Sequence, residues 1–175
     1  PVEDKPPVED KPPVDDKPKP GDDLKIPDNN KPGDMSFLEG CWTTTSGLVN
    51  RRTREPIIYE YCFDKNGQGQ TSVTERGGRR CVAPTSARMD DKGGLVIEDG
   101  GLLQCPDGDH YVKTYVECQT GGGGSAQCNA LQSDNTRWSA TMKRKGGADV
   151  DARVQGDQAP GDQAPGPGGR GNRLG

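Results

Sequence analysis

Six cysteines, at positions 41, 62, 81, 105, 118 and 128, constrain this chain more than any other feature. None stands in a Cys-x-x-Cys pair, and a single histidine accompanies them. A zinc site wants closely spaced thiolate and imidazole ligands, so no metal and no cofactor is expected. An even count in a small domain reads instead as a disulfide framework, which forms in an oxidising compartment. Six cysteines allow 15 pairings. Hairpin geometry favours one of them, because facing residues in an antiparallel hairpin sum to a constant set by the turn. Cys118 and Cys128 centre on Gly123 in GGGG, and Cys81 and Cys105 centre on Gly93 in DDKGG. Cys41 and Cys62 centre between Arg51 and Arg52, in GLVNRRTRE. Each neighbouring pair straddles a turn signal, so the expected bridges are Cys41–Cys62, Cys81–Cys105 and Cys118–Cys128. Facing cysteines fit the short Cβ separation a disulfide requires, and each bridge contributes about 2–4 kcal/mol.

The segments between the cysteines have a period of two. In IIYEYCF (57–63), Ile57, Tyr59, Tyr61 and Phe63 share one face. In RWSATMK (137–143), Trp138, Ala140 and Met142 do the same, and HYVKTYVEC (110–118) groups Val112, Val116 and Cys118. QTSVTE, RCVAPTSARM, GLVIED and AQCNALQ read as further strands, separated by the turn signals DKNGQG, RGG, DDKGG, PDGD, TGGGGS and SDN. No segment carries a helical period. Some eight short strands at even spacing imply an antiparallel sandwich or barrel.

The two ends differ in composition from this module. Residues 1–18 repeat as PVEDKP, PVEDKP, PVDDKP, a pattern that favours an extended polyproline spacer. GDQAP recurs at 156–160 and 161–165 before a Gly- and Pro-rich end. The expected organisation is a disordered acidic linker over 1–34, a β-domain over 35–145 and a disordered tail over 146–175. Residues 1–34 hold ten acids and six lysines, which accounts for the net charge of −4 and leaves 17 acids and 17 bases elsewhere. A balanced module has no field to gather nucleic acid, so no nucleic-acid partner is expected. No apolar run is long enough to span a membrane, and no secretory leader opens the chain. The first residue is Pro, which suggests a processed product or a piece of a longer protein. The module is expected to be monomeric within such a protein.

The stretch MSFLEGCW (35–42) places Gly40 two residues before Trp42 where the first strand should begin. Glycine lets that strand bend and lets another backbone approach. The indole then closes the end of a barrel, with an arginine from the last strand stacked on it. Arg137 and Arg144 are the candidates. This arrangement resembles the lipocalin and calycin-like barrels, whose signature is Gly-x-Trp on the first strand and a basic residue near the end of the last. The resemblance implies an up-and-down barrel and, as function, carriage of a small apolar ligand. FLEGCW, LVN, EYCF and RWS also resemble a cysteine-containing domain of bacterial proteins related to the virulence-associated factor SrfA. That likeness implies a Gram-negative origin and an envelope or secreted setting, periplasmic or extracellular.

Catalytic chemistry is hard to place. A Ser–His–acid triad would have to use His110, which follows the PDGD turn as a strand-end residue. GGGGS lacks the Lys-Ser/Thr and the helix of a phosphate loop. Arginines do cluster, at 51, 52 and 54 and at 79 and 80. Arg51, Arg52, Arg54, Arg79 and Arg80 are therefore the candidate binding residues. The expected function is non-enzymatic: an extracytoplasmic binding or interaction module with a protein partner. The alternatives are a lipocalin-like carrier of a small apolar ligand and a disulfide-rich enzyme inhibitor.

Overall fold

A computed structural model describes residues 17–28 and 31–146. It contains ten strands: β1 (Gly40–Thr45), β2 (Ile57–Phe63), β3 (Gln68–Glu75), β4 (Arg80–Met89), β5 (Leu95–Asp99), β6 (Leu103–Gln104), β7 (His110–Tyr111), β8 (Thr114–Thr120), β9 (Ala126–Gln132) and β10 (Arg137–Arg144). Eight of them close a ring in the order β3-β2-β1-β10-β9-β8-β5-β4, completed by the β3–β4 pairing. Every pairing is antiparallel. The fold is thus a closed all-β barrel with up-and-down connections.

The short strands β6 and β7 continue β5 and β8 along the barrel wall. β4 pairs with both parts of the first ribbon, Thr85 facing Asp99 and Val82 facing Gln104. Three residues along β4 therefore oppose five along its partner, and the excess falls at Gly100-Gly101. This is a bulge that re-aims the ribbon without breaking it.

Alternation sends the even-spaced apolar residues inward. β2 contributes Tyr59, Tyr61 and Phe63, whose rings stack along the barrel axis with centroids 6.4 and 6.3 Å apart. Trp138 leans on Tyr59 at 5.3 Å. Small inward residues elsewhere make room for them: Ala83 and Ala87 on β4, Ala126 and Ala130 on β9, Ala140 on β10. Trp42, Leu95, Ile97, Val116 and Met142 complete a core that water does not reach.

Three disulfides join neighbouring strands: Cys41–Cys62 across β1 and β2, Cys118–Cys128 across β8 and β9, and Cys81 on β4 to Cys105 just past β6. The last two pairs belong to the apolar core, while Cys41–Cys62 lies on the outer face behind Trp42. No cysteine is free. Three disulfides fit an oxidising compartment.

The expected boundary at residue 34 needs correction. Residues 17–28 are not a detached spacer; they run along the barrel. The Gly21 amide donates to the Arg144 carbonyl (2.7 Å), the Arg144 amide to Asp22 (2.8 Å), the Leu24 amide to Met142 (2.8 Å) and the Ala126 amide to Leu24 (2.7 Å). Leu24 and Ile26, two residues apart, both enter the core. The physical cause is that β9 and β10 diverge: their pairing ends at Ala140 facing Cys128, although β9 runs on to Ala126 and β10 to Arg144, so both freed edges need another partner. Residues 1–16 and 147–175, where disorder was expected, lie outside the described residues.

Candidate functional site

The two ends of the barrel do different things. At the end where the chain enters, a single turn of 3-10 helix, Ser36–Leu38, precedes β1. The Trp42 indole is wholly buried, and its Nε1–H donates to the Leu38 carbonyl at 2.8 Å. The Arg144 guanidinium lies over the indole, its Cζ 5.3 Å from the ring centroid, and donates to the Glu39 carbonyl. Gly40 adopts φ 109°, and a Cβ there would run into that guanidinium. Of the two arginines considered, Arg144 is therefore the one that stacks. Arg137 is exposed at the far end of β10, and its odd parity turns it away from the face that carries Trp138 and Met142.

The opposite end is the mouth. In a meander, the β1–β2, β3–β4, β6–β7 and β9–β10 turns must share one end. All five candidate binding arginines belong to the first two of these turns or their flanks, so the fold gathers residues that are far apart in sequence. The β1–β2 loop is held by Asn50. Its amide donates to Glu55 (2.8 Å), and its Oδ1 accepts from the amides of Arg52 (2.8 Å) and Thr53 (3.1 Å). Its side-chain amide donates to Glu75 (3.0 Å) and to the Tyr111 hydroxyl (2.8 Å). The Tyr111 hydroxyl in turn donates to Glu75.

Arg79 is the hub that ties the turns together. It bonds Glu75 at 2.7 Å, Asp107 at 2.7 Å and Asp109 at 3.3 Å. These contacts hold the carboxyls of Glu75 and Asp107 below the ordinary range. For Asp109, the His110 amide contributes first and Arg79 second. With three carboxylates around it, Arg79 positions the rim. Arg80, beside it, bonds Gln70 at 3.1 Å. Arg51 and Arg52 are different. Their side chains are 76% and 75% exposed; they reach Asp134 and Asp109 at 3.6 and 3.7 Å, and Arg51 also donates to the Thr136 hydroxyl. Exposed pairs of this kind contribute about 0–1 kcal/mol, so these guanidiniums can exchange partners. Arg54 is exposed at φ 61° in the tip of the same loop. His110 is exposed at the start of β7.

Sequence reasoning missed a polar cluster inside the barrel, beneath the mouth. Asp99 is 1% exposed and accepts from the Thr71 hydroxyl at 2.6 Å and the Thr114 amide at 2.9 Å. Burial pushes its carboxyl above the ordinary range, against the pull of these hydrogen bonds. The Tyr59 hydroxyl accepts from the Gln132 side-chain amide at 2.9 Å, and burial pushes it up to about 12. The buried Tyr61 hydroxyl and Trp138 Nε1 have no hydrogen-bond partner among the described residues. Strand parity carried the signal: Leu95, Ile97 and Asp99 fall on one face, so an acid occupies an inward position.

Among the described residues, Cys41, Glu60 and Cys62 bring ligand-type atoms within 4.8 Å of one another. Both sulfurs are spent in a disulfide, which leaves no thiolate for a metal. Among the described residues, no helix is long and apolar enough to cross a membrane. The closed eight-strand barrel, with Arg144 on Trp42, is compatible with a lipocalin-like fold. Comparisons with protein-family models, curated proteins and solved structures returned no match, so the chain is placed by its architecture alone.

Proposed function

We propose that this chain is a non-enzymatic binding module of a periplasmic or secreted protein, and that it engages an acidic protein surface through the arginine rim of its mouth. One observation carries the reading: the barrel interior is occupied by its own side chains. Tyr59, Tyr61, Phe63, Trp138 and Met142 fill the axis where a carrier would hold its cargo. Clefts of about 550 and 880 Å³ lie outside the wall, where residues 17–28 and 31–33 lie against the closed end. Recognition then falls to the rim, where Arg51, Arg52 and Arg54 project from a loop already fixed by Asn50. A preorganised loop loses little entropy on binding. The same rigidity favours, as second reading, an inhibitor that presents this loop to an acidic cleft.

The test sets two probes side by side. A carboxylate-rich polypeptide should bind the protein in a salt-dependent manner, and R51E/R52E/R54E should remove that binding without changing the unfolding midpoint. A long-chain fatty acid should leave tryptophan emission unchanged. Stoichiometric quenching by the fatty acid, with no binding of the polypeptide, would establish a carrier instead.

A further inference from the structure

The barrel leaves one seam that its own ten strands do not close. β9 and β10 separate beyond Ala140 and Cys128, and the gap between them is filled by Gly21–Ile26. This slot has a defined chemistry. It offers backbone partners at Met142, Arg144 and Ala126 and buries Leu24 and Ile26 at alternate positions. It also receives the Asp23 carboxylate, which accepts from Lys143 Nζ at 2.7 Å and Ser125 Oγ at 2.9 Å. Nothing covalent holds the segment there, since all six cysteines lie between 41 and 128.

We propose that the slot is an exchange site, and that its second occupant is residues 21–26 of another copy of this chain. An emptied slot exposes an unpaired strand edge and two apolar pockets, which is the form of surface that recruits a strand. The segment that matches it in hydrogen bonding, apolar spacing and charge is one that every copy carries. Pro27 and Pro32 sit in the connection to the barrel, and each favours an extended path in the residue before it. Contacts made in cis and in trans are the same, so the tether alone separates them. A short tether acts as an effective concentration of about 1 mM. The chain is therefore monomeric when dilute and exchanges segments as its concentration approaches that value. This holds whatever the mouth binds.

Two singly substituted chains, D23C and S125C, separate the cases, because neither can form the new bond within itself. Mixed under mild oxidation, they should give a covalent heterodimer whose initial yield rises about tenfold between roughly 20 and 200 μM. The double variant D23C/S125C should form the bond within one chain, which checks the geometry. An intrachain bond in the double variant with no heterodimer in the mixture overturns the proposal. Sedimentation of the unmodified chain gives a second decision. A dimer that appears towards about 1 mM and is lost in L24D supports exchange; a monomer throughout, or a dimer indifferent to L24D, refutes it.

Discussion

Replacing Gly40 by Ala should destabilise the barrel through two linked effects that can be separated by experiment. The backbone there sits at φ 109°, where an L side chain costs about 1–2 kcal/mol. The new methyl group also occupies the position of the Arg144 guanidinium. Driving that group off Trp42 forfeits a cation–π contact of about 0.5–2 kcal/mol. The single variant should therefore lose about 1.5–4 kcal/mol. Arg144→Ala alone loses the same stacking together with the bond to the Glu39 carbonyl, a charged hydrogen bond of about 1.5–3 kcal/mol. In the double variant the stacking is lost only once and the methyl group meets empty space. Its destabilisation should fall short of the sum by about 1 kcal/mol. Urea unfolding followed by tryptophan emission measures all four corners of the cycle. Additivity within about 0.5 kcal/mol would refute the link between Gly40 and the stacked arginine.

Asp99→Asn should alter the pH dependence of stability. Burial raises the folded carboxyl above its unfolded value, so Asp99 takes up a proton on folding and favours the folded state at low pH. That contribution fades as pH rises from the unfolded value through the raised folded value, above which folding buries a charge. The amide can still accept from the Thr114 N–H and donate to the Thr71 hydroxyl. D99N should thus unfold at higher urea than the parent at pH 8, with the gap narrowing towards pH 4; a constant gap refutes the assignment. Disulfide removal should follow loop length. Residues 81 and 105 are 24 apart and residues 118 and 128 are 10 apart, for which chain entropy gives about 3.4 and 2.7 kcal/mol. C81A/C105A should therefore have the lower denaturation midpoint of the two paired variants; the reverse order would place the stabilisation in packing rather than in the unfolded chain.

Much of the fold was legible because its rules are local. Alternation in IIYEYCF gives the inward face of β2, and turn signals midway between cysteines give the bonded pairs. The break between β5 and β6 was not legible, since Gly100-Gly101 looks like any other turn glycine and only pairing with β4 shows it to be a bulge. Leu24 and Ile26 were obscured by prolines and charges on both sides. Two aliphatics form a strand signal only when a neighbouring strand lacks a partner, which is a tertiary fact. The choice between Arg137 and Arg144 was present in the parity of β10, as was the inward position of Asp99. The gathering of arginines at one end follows from the order of the turns once the meander is known. Their different engagement, with Arg79 enclosed and Arg51 and Arg52 open, depends on acids contributed by other turns.

The bond from Gly21 to the carbonyl of Arg144 brings the entering and leaving chain side by side. Tension applied through both arms would thus load that contact first and peel Gly21–Leu24 from β10 one rung at a time, like a zip, instead of shearing all rungs together. The sulfur bridges lie beyond this line of force. The module would yield in a small early step while its body stayed intact, which makes the entry segment a mechanical fuse.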